Sequence, residues 1–590
     1  MPASTSQIVI DAALGRRPAS LIVWGGQIVN VFTGEVLQGD VAALGDRIVA
    51  VGELPTGVRG PETELVDAAG AYLVPGFIEP HLHAGEPSLS PADLATALLE
   101  RGTTTLATDL VEFYAVGGPD AVRWALNELE APGLRTLFLL PLHLLGAEML
   151  GTLRHRPRPE DFAEMGSWPQ MAGVNEPPPA AVLDPESGVV DVLDVVLQDP
   201  RVFEGHASGL TGAGLQAYLA AGATSDHEST SEKDALAKLR LGCRIMMREC
   251  AASQDLQQLV PLILRYPQAA RFCMVCSDDL QAKELVADGH IDHKLRIAIA
   301  AGLDPITAIQ LATINPAEYL GLAGSLGSIA PGKFADLLVV ESLTELRPST
   351  VIAAGNVVAR GGRAVVRHAA AAPPPGCLKA TVELAGPVGP DDFRIAAVDG
   401  AGSVRVRVIG IDNRTLLSEA LVRELPVIDG AVANDLEQDI LRVAALDRHG
   451  KSGRVGLAFV HGVGLKRGAL ATTFTAPHYG LLVIGTTDQE MVAAVAAMND
   501  LGGGMVAVAD GTLVADVAFE VGGFVGSLPL AAMHAEIEAF EQSAAGLGCR
   551  LADPLISLAS LTIPQIPRYG LSDFGLYDGE QRRFVDVVLA

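Results

Sequence analysis

Cysteine is scarce, with six in 590 residues, far below what a disulfide-stapled scaffold needs. Four of them, Cys243, Cys250, Cys273 and Cys276, stand in or beside strand-like text. Cys273-Met-Val-Cys276 formally spells CxxC, but it lies in an extended apolar run without a second pair, so buried thiols are expected rather than zinc or redox chemistry. Positive charge is also short: 42 basic against 70 acidic residues leave a formal charge of −28. That field repels a phosphate backbone and an anionic membrane, and neither nucleic acid nor membrane is expected as a partner. Long apolar runs are missing too. The stretch Leu134 to Leu145 is interrupted by Pro141 and His143 and is too short to span a bilayer. Met1 to Ser6 lacks the basic region and apolar run of a signal peptide, which makes the cytoplasm the expected compartment.

What is present is enough apolar residue for a large core, 49% of the chain, in a length that calls for two or three domains. Residues 7 to 72 read as short strands separated by Gly turns. From Leu73 the period changes, and apolar runs alternate with helical patterns, the signature of βα units around a parallel sheet. Eight strands are expected, at 73–80, 103–108, 135–140, 170–175, 202–205, 223–226, 243–247 and 271–277. One intervening helix, Pro91 to Glu100, has Ser90 as its expected N-cap and Gly102 as its stop. The fold predicted is a distorted (β/α)8 barrel over 73–325, with its chemistry on the loops that follow the strands. A small β-sandwich-like domain is expected from both flanks, residues 1–72 with 326–368. Ala369 to Gly376, four alanines and three prolines before the glycine, reads as a linker, and 377–590 as a C-terminal α/β domain. The Gly-rich Leu501 to Gly504 lacks the Lys and Ser/Thr of a phosphate loop and reads as a turn.

The strand ends carry a consistent set of residues. Leu73-Val-Pro-Gly-Phe-Ile-Glu-Pro-His-Leu-His83 delivers His81 and His83, two residues apart and therefore on one side of a strand. Glu176 follows the fourth strand, His206 the fifth, His227 the sixth and Asp278 the eighth. Imidazole and carboxylate are donors for Zn, Mn or Fe. A carboxylate from the fourth strand can bridge two ions about 3.5–4 Å apart, as in two-metal hydrolytic sites. His290 and His293 precede a helix rather than end a strand, and a structural or substrate-loop role is expected for them.

These residues resemble the amidohydrolase superfamily and, within it, the bacterial adenine deaminases. The matching text includes Pro75 to His83, Gly102-Thr-Thr-Thr105, Gly205 to Leu210, Tyr218 to Glu228, Gly289 to His293, Ala312 to Glu318 and Pro331 to Asp336. It continues past the barrel in Gly464 to Gly468 and Leu561 to Pro567. The resemblance implies a binuclear centre of two divalent ions, Mn or Fe in preference to Zn. Its ligands would be His81, His83, Glu176, His206, His227 and Asp278, with Glu176 bridging. Asp278 would take the proton of the attacking water, and Glu86 or Glu228 would donate to a ring nitrogen. The implied reaction is adenine and water to hypoxanthine and ammonia.

Several other positions depart from the family. Its histidine after strand two is replaced by Val111 in Leu110-Val-Glu-Phe113, while Glu112 is kept. Its acidic residue after the first histidine pair is displaced to Glu86, and its Asp-Asp-Arg-His-Pro reads Asp278-Asp-Leu-Gln-Ala282. Its Arg-Glu-Gly-Ser reads Arg248-Glu-Cys-Ala251, and Phe474-Thr-Ala-Pro-His-Tyr479 keeps only the second of two histidines. Reaction type is thus better specified than substrate. Deamination of another purine-like or pterin-like heterocycle, or hydrolysis of a cyclic amide, is the enzymatic alternative. A non-catalytic purine-binding protein is the alternative of a different class. The partner expected is a small heterocyclic substrate, and homo-oligomerisation is left open.

Overall fold

The computed structural model describes residues 5–145, 147–197, 201–250, 253–365, 372–397, 400–411, 418–563 and 568–589. Ala369 to Ala371 of the expected linker, Ala251 and residues 564–567 lie outside the described residues.

The eight expected barrel strands are present as β1 (Phe77–Leu82), β2 (Thr103–Thr108), β3 (Arg135–Pro141), β4 (Met171–Asn175), β5 (Val202–Glu204), β6 (Ser225–Asp226), β7 (Arg244–Arg248) and β8 (Cys273–Cys276). They form two parallel arcs, β1 to β5 and β6 to β8, so the barrel is distorted and its ladder is not continuous. One seam is closed by the Leu82–Asp278 bridge, where Asp278 N–H donates to the His81 carbonyl at 3.0 Å. At the other, Thr224 N–H donates to the Phe203 carbonyl at 2.9 Å. Ile78, Ala107, Leu139, Val202, Met246 and Met274 from six strands meet Ala317 and Tyr319 in one buried cluster, a packed interior rather than a pore.

The expected first strand is divided. Tyr72–Pro75 belongs to a different sheet, pairing antiparallel with Leu337–Val340, and β1 starts only at Phe77. Gly76 makes the crossing: a Cβ there would lie 2.3 Å from Thr104 Oγ1. The pairing of Tyr72–Pro75 with Leu337–Val340 joins the two flanks into one nine-stranded sheet. Its two faces carry separate cores, one around Val23, Val41 and Leu337 and the other around Ile22, Ala42 and Val49, as alternation along a strand dictates.

The helix Pro91–Glu100 begins as its sequence requires, with Ser90 Oγ accepting the Asp93 N–H. Helix Val111–Glu130 is kinked at Gly118, whose φ of 68° precedes Pro119. Past the linker region, a second nine-stranded sheet includes Ser403–Ile411, Ile440–Leu446, Leu481–Gly485 and Gly504–Ala509. Helix Asp488–Leu501 covers one face through Met491, Val495 and Met498 and ends at Gly502 with φ 82°. The other side of this C-terminal unit shares a core with the barrel, where Phe113 meets Phe524 edge to face at 5.0 Å. Ala372 is bonded to the barrel too: its N–H donates to Glu128 and its carbonyl accepts from Trp124 Nε1. Among the described residues no helix is long and apolar enough to cross a membrane.

Candidate metal centre

All six expected ligands converge at the C-terminal ends of the barrel strands. His81 and His83 arrive from β1 at the spacing that puts both on one side. Glu176 and Asp278 each take a left-handed backbone, φ 48° and 62°, an uncommon conformation for a side-chain-bearing residue. It turns both carboxylates off their strand ends and into the mouth.

Among several overlapping clusters of donor atoms, two divide the expected ligands between them and share Glu176. His81, His83, Glu176 and Asp278 form one, with ligand atoms all within 4.8 Å of each other. His81 Nε2 is 3.0 Å from Asp278 Oδ1, and His83 Nε2 is 3.5 Å from Asp278 Oδ1 and from Glu176 Oε2. Glu176, His206 and His227 form the other, with His206 Nδ1 at 3.4 Å and His227 Nε2 at 2.8 Å from Glu176 Oε1. Neither ring nitrogen of His227 is aligned for a hydrogen bond among the described residues, Nε2 despite its 2.8 Å approach to Glu176, although the side chain is buried. A buried, unbonded imidazole facing a carboxylate suits a shared cation, so the residues present fit divalent metal.

Electrostatics agree with that donor set. Burial works against charge on His81, yet the Glu204 and Asp278 carboxylates raise its pKa well above the ordinary value. His206 is likewise pushed up to about 9, by Glu228 and Glu176 against burial. Burial alone would raise Glu176 and Asp278. His83, His206 and His227 hold Glu176 well below the carboxylate range, and His81, His227 and Arg248 do the same for Asp278. The excess of carboxylate around four imidazoles is what bound cations would balance.

Residues 72–358 match the amidohydrolase family, and residues 415–583 match the adenine deaminase C-terminal domain. Over 588 residues the chain is 37% identical to an adenine deaminase of Moorella thermoacetica, covering 99% of this chain and 98% of that one. A second relative, an adenine deaminase of Desulfatibacillum aliphaticivorans, is 34% identical over 582 residues, 98% of this chain and 99% of that one. The chain belongs to the amidohydrolase superfamily, in the branch of the bacterial adenine deaminases. It is a metal-dependent hydrolase of that family, with a multi-His, carboxylate-rich cluster able to chelate metal.

Around the candidate ligands of this amidohydrolase site stand residues that carry no sequence signal of their own or were not singled out by it. Glu204, wholly buried on β5, lies against His81 Nδ1. Asp109, at the end of β2, is 3.1 Å from His83 Nδ1 and accepts from Asn175 Nδ2 at 2.8 Å. Such carboxylate–histidine pairs orient ligand rings. Asp109 was within reach of the strand-end rule that singled out Glu176; Glu204 carries no motif. His143, read only as an interruption of an apolar run, reaches within 3.8 Å of both Asp109 and Glu176.

The two remaining site candidates occupy different surroundings. Glu228 is 3.6 Å from His227 Nε2 and ion-paired with Arg248; Arg248 also binds Asp278 Oδ2 at 2.8 Å and Asp255 at 3.3 Å. Glu86 is 7% exposed, and burial, with Asp279 and Glu112 nearby, raises its pKa well above the ordinary value. Glu112 is pushed up to about 8 by burial and Asp109, and Asp279 to about 7 by burial and Asp278. His290 lies beneath the site, 3.0 Å from Ser277 Oγ and 2.7 Å from Thr103 Oγ1, a structural post between strands. Cys273 and Cys276 are buried free thiols.

Proposed function

We propose that the chain hydrolyses adenine to hypoxanthine and ammonia at a centre of two divalent ions held by His81, His83, Glu176, His206, His227 and Asp278. The observation that carries this reading is Glu176, common to both donor groups. Mn or Fe is preferred and Zn remains compatible, since all three accept N and O donors. Bound there, such ions lower the pKa of water so that a nucleophile is available at neutral pH.

The chain's own groups divide the proton traffic. Asp278 accepts the proton of the water that attacks C6 and returns it to the departing amino nitrogen, as the C6–O bond forms and the C6–N bond breaks. Arg248 holds the other Asp278 oxygen, at 2.8 Å, and so fixes which one faces the reaction. Of the two candidate donors to the ring, Glu86 is favoured, because burial among carboxyls keeps its proton on, whereas Glu228 is committed to Arg248; Glu86 recovers a proton from the C6 hydroxyl as the product carbonyl forms.

Buried Leu280 and Val111, where the family pattern has charged or polar residues, favour deamination of a related heterocycle, or opening of a cyclic amide, as the second reading. The test is product identification by mass after the Mn- or Fe-loaded protein is incubated with adenine, other aminated heterocycles and cyclic amides. Adenine conversion supports the first reading; conversion of another compound with adenine untouched supports the second. Fewer than one equivalent of metal after reconstitution would sink the binuclear assignment.

A further inference from the structure

Between β3 and the helix Pro159–Met165 the chain forms a strap, described over residues 142–145 and 147–154. His143 sits at its start. The imidazole is 17% exposed, against 1% for His81 and His227, so it faces the opening more than those two do. Its Nδ1 is buried and makes no hydrogen bond among the described residues. It lies 3.8 Å from Asp109 Oδ2 and 3.8 Å from Glu176 Oε2, too far for a hydrogen bond to either. Two carboxylates facing one ring nitrogen still favour the tautomer with the proton on Nδ1, which leaves Nε2 as an acceptor.

The strap is fastened by the other end of the chain. His478 Nε2 donates to the Ala147 carbonyl at 2.9 Å, and its ring fills the space where Gly151 lacks a Cβ. Asp573 accepts twice from Thr152, from N–H at 2.9 Å and from Oγ1 at 2.6 Å. Lys451 Nζ donates to the Leu153 carbonyl at 3.1 Å. His478 and Asp573 are both buried, so these ties are not loose surface contacts. Every one of them falls within eleven residues of His143.

We propose that His143 is a substrate-contacting residue that helps set which heterocycle is accepted, and that the C-terminal unit places it through the His478 and Asp573 ties. This rests on the function proposed above. An aminated heterocycle presents N–H donors, and Nε2 of His143 is the acceptor offered to one of them. A third metal ligand is the competing role, since the Asp109, His143 and Glu176 donor atoms also lie within 4.8 Å of one another. It is disfavoured because Asp109 already serves His83 and Asn175 and Glu176 already joins two donor groups, leaving His143 as the single uncommitted donor.

The experiment compares Michaelis parameters and metal content of the metal-loaded full chain with those of four variants: His143→Ala, His143→Gln, Asp573→Ala and the His143→Ala/Asp573→Ala double. The substrate is adenine or whichever heterocycle the wild type converts. Loss of one substrate hydrogen bond should raise KM roughly tenfold in His143→Ala with kcat nearly unchanged, metal content equal to wild type, and partial recovery in His143→Gln. Asp573→Ala should raise KM about threefold alone and add nothing in the His143→Ala background, because residues acting through one another are not additive. An unchanged KM in His143→Ala, or loss of a metal equivalent there, overturns the contact. Additive effects, or a lowered melting temperature without a KM change in Asp573→Ala, overturn the placement. Wild-type protein that converts no heterocycle refutes the proposed function and this inference with it, whereas conversion with an insensitive His143→Ala refutes this inference alone.

Discussion

Replacing Lys238 with Met should loosen the His206 and His227 side of the metal centre from a position that touches neither. Lys238, on the helix Glu232–Leu239, is wholly buried. Its ammonium donates to Asp226 Oδ2 at 2.8 Å, Ser229 Oγ at 3.1 Å and Asp234 Oδ2 at 2.8 Å. Asp226 is wholly buried as well, and its second oxygen accepts the Ala207 N–H at 2.9 Å. That carboxylate therefore joins the loop after β5, beside His206, to the end of β6, beside His227. Methionine keeps the apolar stem but leaves Asp226 ionised without its cation. Removing one partner of a buried pair costs about 3–5 kcal/mol; the Ala207 N–H and the Ser229 hydroxyl, which donates to Asp226 Oδ2 at 2.7 Å, remain and place the expected loss near the lower end, ~3 kcal/mol. The partly exposed Asp234 contact adds little. In the wild type, burial raises the Asp226 pKa but Lys238 and His227 more than reverse it. A depressed folded pKa gives stability above the unfolded value that is lost as pH falls through the folded one. The variant's deficit should accordingly be largest near neutrality and shrink below about pH 4. Urea unfolding at neutral and acidic pH measures this, with metal equivalents determined alongside by equilibrium dialysis. Adding Asp226→Asn should restore much of the loss. A deficit under about 1 kcal/mol at neutral pH, or no recovery in the double variant, would refute the reasoning.

Glu204→Gln should weaken metal binding at the His81 group by roughly 10–100-fold, the usual effect of losing a carboxylate behind a ligating imidazole; competition with a chelator reads it, and unchanged affinity would count against the pairing. Asp278→Asn should lower turnover by about 10²–10⁴-fold, and full activity would remove Asp278 from the proton path. His449 is buried and lies against Arg448, which together push its pKa down to about 3. The neutral imidazole is thus favoured by folding, and stability present above pH 6.5 is lost as pH falls. At pH 5 wild type should have lost about 2 kcal/mol relative to its neutral value, and His449→Gln should lose correspondingly less in an acid unfolding series.

The barrel and the convergence of the proposed ligands were legible because two periodicities coincide there. Residues two apart on a strand share a side, and residues just past parallel strands share an end of the barrel, so His81, His83, Glu176, His206, His227 and Asp278 could be grouped without coordinates. Asp109 obeys the same rule and was recoverable from it. Glu204 was not, since one acid inside a three-residue strand has no spacing partner. His143 was out of reach for another reason: the strap that places it is fixed by His478, Lys451 and Asp573, about 300 to 420 residues away in sequence, and local pattern says nothing about such contacts. The division at Gly76 was marked in the sequence by Pro75-Gly76, a dipeptide that commonly breaks a strand, but the apolar residues on both sides of it read as one run.

The left-handed backbone at Glu176 and Asp278 bears on which substitutions can be interpreted. Aspartate and asparagine visit that region several times more often than most residues, so position 278 is close to its local preference, and an amide there alters charge with the chain path intact. Glutamate has no such affinity, and the path at 176 is maintained by its surroundings at a cost of order 1–3 kcal/mol. A β-branched replacement at either place would shift the strand end itself, and any lost activity would then report geometry rather than chemistry. Glycine at 176 would do the reverse, relaxing the main chain while deleting the shared carboxylate, so that a protein could gain in stability from the same change that dismantles its metal centre.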